Sequence, residues 1–503
     1  MKPLWEHQRL SVERSISLPH FAYFWEMGCG KSRALIESLR WRYNLNKRIL
    51  RTIILCPPIV VPNWREEWLM YTKVDPRTIV PLYGSGKKRL ETFRQNIAKG
   101  DGKIFITNYE SLLMESLYES MVMWNPEVVV LDESHKCKSH ESKRSKLACD
   151  LTNPLIPIVV GGKKLYKAAP RPFVYLLSGS PILNTPMDIF QQYKILDGGK
   201  SFGNNYFAFR GKYFRDKNER MPMGRHFPNW APKTLAHDGF DAMKDINTKI
   251  YDVGTRVEKK DCLDLPPEVP VTINVTMAKE QARVYNEMKQ DFIAFIEGKT
   301  CTAQLAIVKA LRLMQVTSGF ISPDSRGEED DVPKVTFNDT PKRQALKELL
   351  EEITGQGHKV LVWAVWTENY KQIREVCQEL NLRYVEVHGG ISPAKKRENV
   401  QIFQQDEGVK VFLGHPGSGG IGINLTQAKY SIFYSRTFSL EHYLQARARN
   451  HRGGSKEAGH DSITHYDLVC ENTIDALACK KLANKLAMSE SLLKDISNEL
   501  KQE

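Results

Sequence analysis

Apolar residues fall in short unbroken runs through the first part of this chain. FAYFW ends at Trp25, TIILC begins at Thr52, IFIT begins at Ile104, VVVL spans Val128 to Leu131, and FVYLL begins at Phe173. A run of that kind reads as a strand buried on both faces, as in the middle of a parallel sheet. Helical segments separate the runs, and that alternation predicts a doubly wound α/β sheet. The rhythm is lost from about 190 to 260, where GNNYFAFRGKYFRDKNERMPMGRHF is aromatic and basic. Such interleaving can stack bases, but a helical subdomain with snorkelling Lys and Arg is the favoured reading. TPKRQALKELLEEI then reads as a helix capped by Thr340. It opens a second strand series: KVLVWAV, RYVEVHG, VKVFLG, YSIFYS and ITHYDLV.

The expected division is a first lobe over 1–250 with an aromatic and basic helical insertion at about 195–250, a linker and helical insertion over 251–335, and a second lobe over 336–503. SRGEEDDVP, 325–333, is expected to be a loop near the boundary. Ile474, Ala478, Leu482 and Leu486 predict a C-terminal helix packed back on the lobes.

Polar residues at the strand ends carry the candidate chemistry. VVVL runs into Asp132-Glu133-Ser134-His135. Carboxylates at such a strand end lie in the crevice where open α/β sheets bind ligands. One acid can hold magnesium on a nucleotide while its neighbour orients the attacking water. The plainer alternative makes Asp132 or Ser134 a helix N-cap. FAYFW is followed by EMGCGKS and a helical stretch from Arg33 to about Arg40, which is a phosphate-binding arrangement. Gly28 and Gly30 would let backbone N–H groups close on phosphate oxygens, Lys31 would neutralise the β- and γ-phosphates, and Ser32 would ligate magnesium. Trp25 stands where the full pattern has a further glycine. A Gly-rich helix entry without a ligand is the alternative there. In QARARNHRGG, Arg449 and Arg452 are three apart and would share one face of a helix.

Composition narrows the partners. Lys plus Arg number 72 against 59 Asp plus Glu, a formal charge of +13, which favours an anionic partner with nucleic acid first. The nine cysteines form no CxxC pair and show no zinc-ligand spacing, which suits reduced thiols. No apolar signal core opens the chain and no run of about 18 apolar residues occurs, so a cytoplasmic protein, neither secreted nor membrane-bound, is expected. Lone histidines such as His140 and His465 are read as structural.

DESHKCKSHESKRSK, LSGSPILNTPMDIF, TRVEKKDCLDLPPEV with Gln281 and Tyr285, and ALRLMQVTSG together resemble the Snf-type ATPase motors of helicase superfamily two, in a compact prokaryotic or phage-like form. The resemblance spans almost the whole chain and implies two RecA-like lobes. It implies ATP and Mg2+ as cofactors, with Gln8 reading adenine and Gly28, Gly30, Lys31 and Ser32 holding the triphosphate. Asp132 and Ser32 would serve the metal, and Glu133 the water. Arg449 and Arg452 would reach the γ-phosphate when the lobes close. Thr107, Tyr109, Lys138, His388, Gly419, Gly420 and Asn424 would contact DNA, and Ser178 and Ser180 would couple the sites. His415-Pro416-Gly417 departs from the family's usual lead-in to its glycines.

The function implied is ATP-driven translocation on duplex or branched DNA, by a monomer that a partner protein could recruit, inside a bacterial or phage-infected cell. A strand-separating helicase that also uses single strands is one alternative, and an ATP-gated DNA-binding protein without turnover is another. A metabolic P-loop kinase fits poorly, because the second lobe offers arginines and phosphate-binding glycines but no evident small-substrate pocket.

Overall fold

The computed structural model describes residues 3–483 apart from 161–162, 180, 183–184, 220–227, 298–302, 322–334, 338–339 and 418–422. Its chain divides after Leu263 into two compact units.

The first unit contains β1 (His20–Trp25), β2 (Thr52–Cys56), β3 (Ile79–Pro81), β4 (Ile104–Asn108) and β5 (Val128–Asp132). A hairpin of β6 (Leu155–Val160) and β7 (Lys163–Ala168) follows, then β8 (Phe173–Leu177). A small ribbon of β9 (Phe214–Asp216) and β10 (Trp230–Pro232) precedes β11 (Gly254–Val257). Seven of these strands form one sheet in the order β11-β1-β8-β5-β2-β4-β3, and every pairing in it is parallel. All five positions of β2, β4 and β5 are buried, as their unbroken apolar runs predict. Each fully buried Val, Leu or Ile there contributes about 1.5–3 kcal/mol over leaving it exposed. The aromatic segment after 200 is mostly core: Phe202, Phe209, Tyr213 and Phe214 pack into the apolar cluster of this unit.

The second unit begins with β12 (Glu268–Val275). After the short pair β13 (Phe320–Ile321) and β14 (Val335–Thr336) come β15 (Lys359–Trp363), β16 (Arg383–Val387), β17 (Val409–Gly414), β18 (Ala428–Phe433) and β19 (Ile463–Cys470). Its six-stranded sheet, in the order β12-β19-β18-β15-β17-β16, is also parallel throughout. Both units are therefore RecA-like α/β lobes. The stretch expected as a linker is thus largely structured. Its β11 completes the first sheet and its β12 the edge of the second.

Helices Lys279–Glu297, Ala303–Thr317 and Ile474–Ala483 build a separate apolar cluster within the second unit. Two side chains stitch it together: Gln281 donates to the Val316 carbonyl at 2.7 Å and Tyr285 accepts from the Ile474 N–H at 2.8 Å. Thr340 caps its helix, accepting from the Arg343 N–H at 3.4 Å. Residues 325–333 and Leu486 lie outside the described residues.

Candidate active site

The phosphate-loop residues sit where β1 hands over to the helix Lys31–Asn46. That helix has no side-chain cap, so its first N–H groups are available to an anion. Gly28 and Gly30 have φ of 91° and 79°, values that side chains with a Cβ rarely adopt. A Cβ on Gly30 would also lie 2.2 Å from Gln8 Nε2. Gln8 is buried against the loop, accepting from the Trp5 N–H at 3.0 Å and donating to the Gly30 carbonyl at 3.2 Å. Lys31 Nζ donates back to the Trp25 carbonyl at 2.8 Å and the Glu26 carbonyl at 3.3 Å. Trp25 fills the place of the missing glycine as the last, fully buried residue of β1, its ring N–H held by Thr255 Oγ1 at 2.9 Å.

The acid pair closes β5. Asp132 is buried, and its Oδ2 accepts from Trp64 Nε1 at 2.9 Å. Burial, with the neighbouring charge of Glu133, pushes its carboxyl up to about 7, although the Trp64 donor and the Lys31 charge pull the other way. The Lys31 ammonium therefore lies within electrostatic reach of Asp132. Glu133 adopts φ 54° and ψ 54°, a left-handed conformation that costs of order 1–3 kcal/mol in a non-glycine residue and gathers at functional sites. Neither Asp132 nor Ser134 acts as a helix N-cap, because only a short 3-10 turn over Ser134–Cys137 follows, without a side-chain cap.

From that turn the polar contacts run to the segment after β8. His135 Nδ1 lies 3.3 Å from Glu133 Oε2 and 3.1 Å from Ser178 Oγ. Ser134 Oγ donates to Gln192 Oε1 at 2.8 Å, and Gln192 Nε2 donates to the Pro181 carbonyl at 2.7 Å. Ser178 thus touches the acid-pair turn, while Ser180 lies outside the described residues.

In the second unit the expected helical face for Arg449 and Arg452 does not form. The helix Leu440–Arg447 stops short of both, and they lie in the turn that follows. The turn is held by side chains as well as by backbone bonds such as that from the His451 N–H to the Arg447 carbonyl at 3.3 Å. Asn450 Nδ2 donates to the Ala428 carbonyl at 3.2 Å, and Ser455 Oγ accepts from the Arg452 N–H at 3.1 Å. Arg449 is buried, and Arg452 Nη1 donates to the Ile423 carbonyl at 3.2 Å. These contacts set the turn beside the amino-terminal start of β18.

The residues expected to contact DNA divide. Thr107 and Tyr109 do not fit that role: both are buried, Thr107 Oγ1 pairs with Ser111 Oγ at 2.6 Å, and Tyr109 donates its hydroxyl to the Asp132 carbonyl at 2.7 Å. Tyr109 supports the acid pair from below. His388 is buried and stacks on Tyr370 with ring centres 4.3 Å apart, and burial holds its pKa below the usual imidazole value. Lys138 is part-exposed and pairs with Asp188 at 3.5 Å. Asn424 is exposed, and Gly419 and Gly420 lie outside the described residues. His140 stacks on Tyr206 at 3.6 Å and His465 is wholly buried.

Sequence reading missed Trp64, Gln192 and Glu268. Trp64 lies in the helix Val61–Tyr71, and a lone Trp there carries no signal until β2 and β5 pair. Glu268 receives Arg447 at 2.9 Å, His451 at 3.2 Å and His465 at 3.1 Å. Its three partners lie about 180 to 200 positions away in sequence, beyond any local pattern.

Two parallel-sheet lobes, a glycine loop at a helix start and an acid pair at a buried strand end define the class of P-loop, helicase-like ATPases. The SNF2-related domain matches residues 24–161 and the helicase conserved C-terminal domain matches 341–454. The chain belongs to the SNF2-related family. It is 23% identical over 498 residues to protein p41 of Acyrthosiphon pisum secondary endosymbiont phage 1, covering 97% of both chains. It is 21% identical to the ISWI chromatin-remodeling complex ATPase ISW1 of Saccharomyces cerevisiae, covering 95% of this chain and 39% of that one. Against the chromodomain-helicase-DNA-binding protein 1-like of Danio rerio the identity is 23%, over 93% of this chain and 41% of that one. The chain thus spans well under half of those two remodellers. The Sulfolobus solfataricus SWI2/SNF2 ATPase core in complex with dsDNA aligns over 99% of this chain and 93% of that one, at 21% identity and a TM-score of 0.41.

Proposed function

We propose that this protein hydrolyses ATP to drive its own movement along duplex or branched DNA. The observation that carries the reading is that the phosphate loop with Lys31 follows β1 and the buried Asp132-Glu133 pair ends β5 of the same parallel sheet, with the Lys31 charge acting on Asp132. The family membership supports it, and so does the net charge of +13, which suits a phosphate backbone.

Each residue has a task that follows from its chemistry. Lys31 exchanges its loop carbonyls for phosphate oxygens when nucleotide enters, so its charge is delivered without a change of fold. Gln8 braces the loop through Gly30 and stands as the candidate for sensing adenine. Ser32 and Asp132 offer a hydroxyl and a carboxylate, the hard oxygen donors that suit magnesium with several waters retained. Bound with nucleotide, that ion would neutralise charge on the β- and γ-phosphates. Glu133 would orient the attacking water, with His135 Nδ1 held between its Oε2 at 3.3 Å and Ser178 Oγ at 3.1 Å. Arg449 and Arg452 would stabilise charge on the transferring phosphoryl.

The antiparallel pair of β6 (Leu155–Val160) and β7 (Lys163–Ala168) favours strand separation as a second reading. It forms a two-stranded sheet of its own between β5 and β8 in the chain, and a self-paired hairpin is an element that can be driven between two strands.

The deciding experiment is steady-state ATP hydrolysis without nucleic acid and with single-stranded, duplex and branched DNA and duplex RNA, alongside displacement of a forked duplex. Stimulation by duplex or branched DNA without displacement is expected. Robust displacement would replace translocation with unwinding, and turnover that survives Lys31→Ala would overturn the assigned site.

A further inference from the structure

Glu268, the first residue of β12, lies only a few positions after the end of the first unit. Its carboxylate gathers three basic side chains from three parts of the second lobe. Oε2 pairs with Arg447, the last residue of the helix that leads into the arginine turn, at 2.9 Å. Oε1 lies 3.2 Å from His451 Nδ1, inside that turn, and 3.1 Å from His465 Nε2 on β19. Burial alone would raise the carboxyl, yet the rings of His451 and His465 and the charge of Arg447 hold it far below the usual glutamate range.

The partners flank the residue that matters. Arg447 and His451 stand two positions before and two positions after Arg449. Both ends of the Arg449 segment are therefore tied to one carboxylate. The ties extend along the chain that leads in from the first unit: His451 Nε2 meets the Pro266 carbonyl at 2.9 Å, the Ile463 N–H donates to Pro267 at 2.9 Å, and Lys456 forms an ion pair with Asp264. His465 is itself anchored, its Nδ1 2.5 Å from Ser431 Oγ on β18. Backbone bonds also hold the turn, from the His451 N–H to the Arg447 carbonyl at 3.3 Å and from the Leu425 N–H to the Arg449 carbonyl at 3.1 Å, and the side-chain ties add the link to segment 264–268.

We propose that Glu268 is a positioning residue for hydrolysis: it holds the Arg449 turn in register with segment 264–268, so that displacement of this connecting segment is transmitted to the arginines. The inference rests on the proposed role of Arg449. Glu268 does not touch nucleotide in this account. It acts by preorganising the arginines, and a turn displaced by about 1 Å costs on the order of 10²-fold in rate.

The test compares full-length wild type, Glu268→Gln, Arg447→Gln, Arg449→Ala and the Glu268→Gln/Arg449→Ala double variant in DNA-stimulated hydrolysis. Glu268→Gln is expected to lower kcat about tenfold or more while the KM for ATP stays within about twofold, because an interaction realised in the transition state is lost. The double variant is expected to be no slower than Arg449→Ala alone, since both changes remove the same action. Multiplying losses in the double variant, or an unchanged kcat in Glu268→Gln, overturns the inference. Should Glu268→Gln fail to fold, Arg447→Gln removes one tie at a part-exposed side chain and must show the same split on a smaller scale. If Arg449→Ala turns over like wild type, the arginine assignment falls. If it is slow while Glu268→Gln and Arg447→Gln are not, only the positioning role falls.

Discussion

The acid-pair end of the first lobe and the arginine turn of the second rest on the same kind of parallel sheet, yet they treat buried charge in opposite ways. In the first, the Asp132 carboxyl is raised to about 7 by burial and by Glu133, with the Trp64 ring N–H as its side-chain donor. In the second, Glu268 is driven far below its ordinary value by two histidines and an arginine. Glu133 adds backbone strain to the first site. The difference separates two tasks. On the proposed mechanism, the carboxylates that would receive a metal and a water are left under-compensated, while the one proposed only to support is compensated by three partners.

The most damaging way to break that contrast is Glu133→Gln. The amide keeps the size but cannot orient water as a carboxylate does, so hydrolysis should fall about 10²–10⁴-fold with nucleotide binding retained. Steady-state turnover beside equilibrium binding of a fluorescent nucleotide checks this, and equal loss of both would show that Glu133 serves binding instead.

Asp132→Asn sharpens the contrast by parting stability from activity. The folded-state pKa of Asp132 lies above its unfolded value of about 3.9. Ionised Asp132 therefore costs stability as pH rises from about 4, and the cost is complete above about 7. The amide avoids that cost. At pH 8 the nucleotide-free variant should be more stable by roughly 1–3 kcal/mol and inactive, with the gain absent near pH 4. Thermal unfolding across pH reads it directly, and a loss of stability at pH 8 would mean that Asp132 is better compensated than its surroundings suggest.

Glu268→Gln should show the reverse sign. A depressed carboxyl contributes stability that is fully present above its unfolded pKa of about 4.3 and fades as pH falls through the folded value. The variant should lose about 2 kcal/mol at pH 7, with the gap to wild type narrowing below about pH 4. A gap independent of pH would point to lost packing rather than lost charge.

How legible these sites were follows from how local their causes are. β1, β2, β4, β5 and β8 were readable because a strand buried on both faces needs an unbroken apolar run, and the loop and acid pair because they sit directly at strand ends. Thr107 and Tyr109 were misread because a family pattern gives position but not burial, and here β4 ends in a turn that points Tyr109 at the Asp132 carbonyl. Arg449 and Arg452 follow helical spacing, yet the helix ends at Arg447, where Asn450 and Ser455 hold the turn through their side chains. Glu268 was invisible because its meaning is wholly tertiary. It sits in a stretch that looked like linker, and only the pairing of β12 with β19 brings it to His465.

The smallest expected effect lies inside the first site, at Ser178. His135 Nδ1 faces both Ser178 Oγ and Glu133 Oε2, and a single ring nitrogen cannot serve both fully. Removing the serine hydroxyl lets that nitrogen bond more fully to Glu133 Oε2, 3.3 Å away, which would commit the glutamate to the imidazole and away from water. A hydrogen bond of this kind is worth about 0.5–1.5 kcal/mol, so Ser178→Ala should slow hydrolysis about fivefold with the KM for ATP unchanged. Adding His135→Ala should then release Glu133 and recover part of the loss, a reversal that simple damage to the fold would not produce. Further slowing in the double variant would instead make His135 a support that Glu133 needs, and the contrast between the lobes would narrow: both sites would then depend on histidines that hold a glutamate in place.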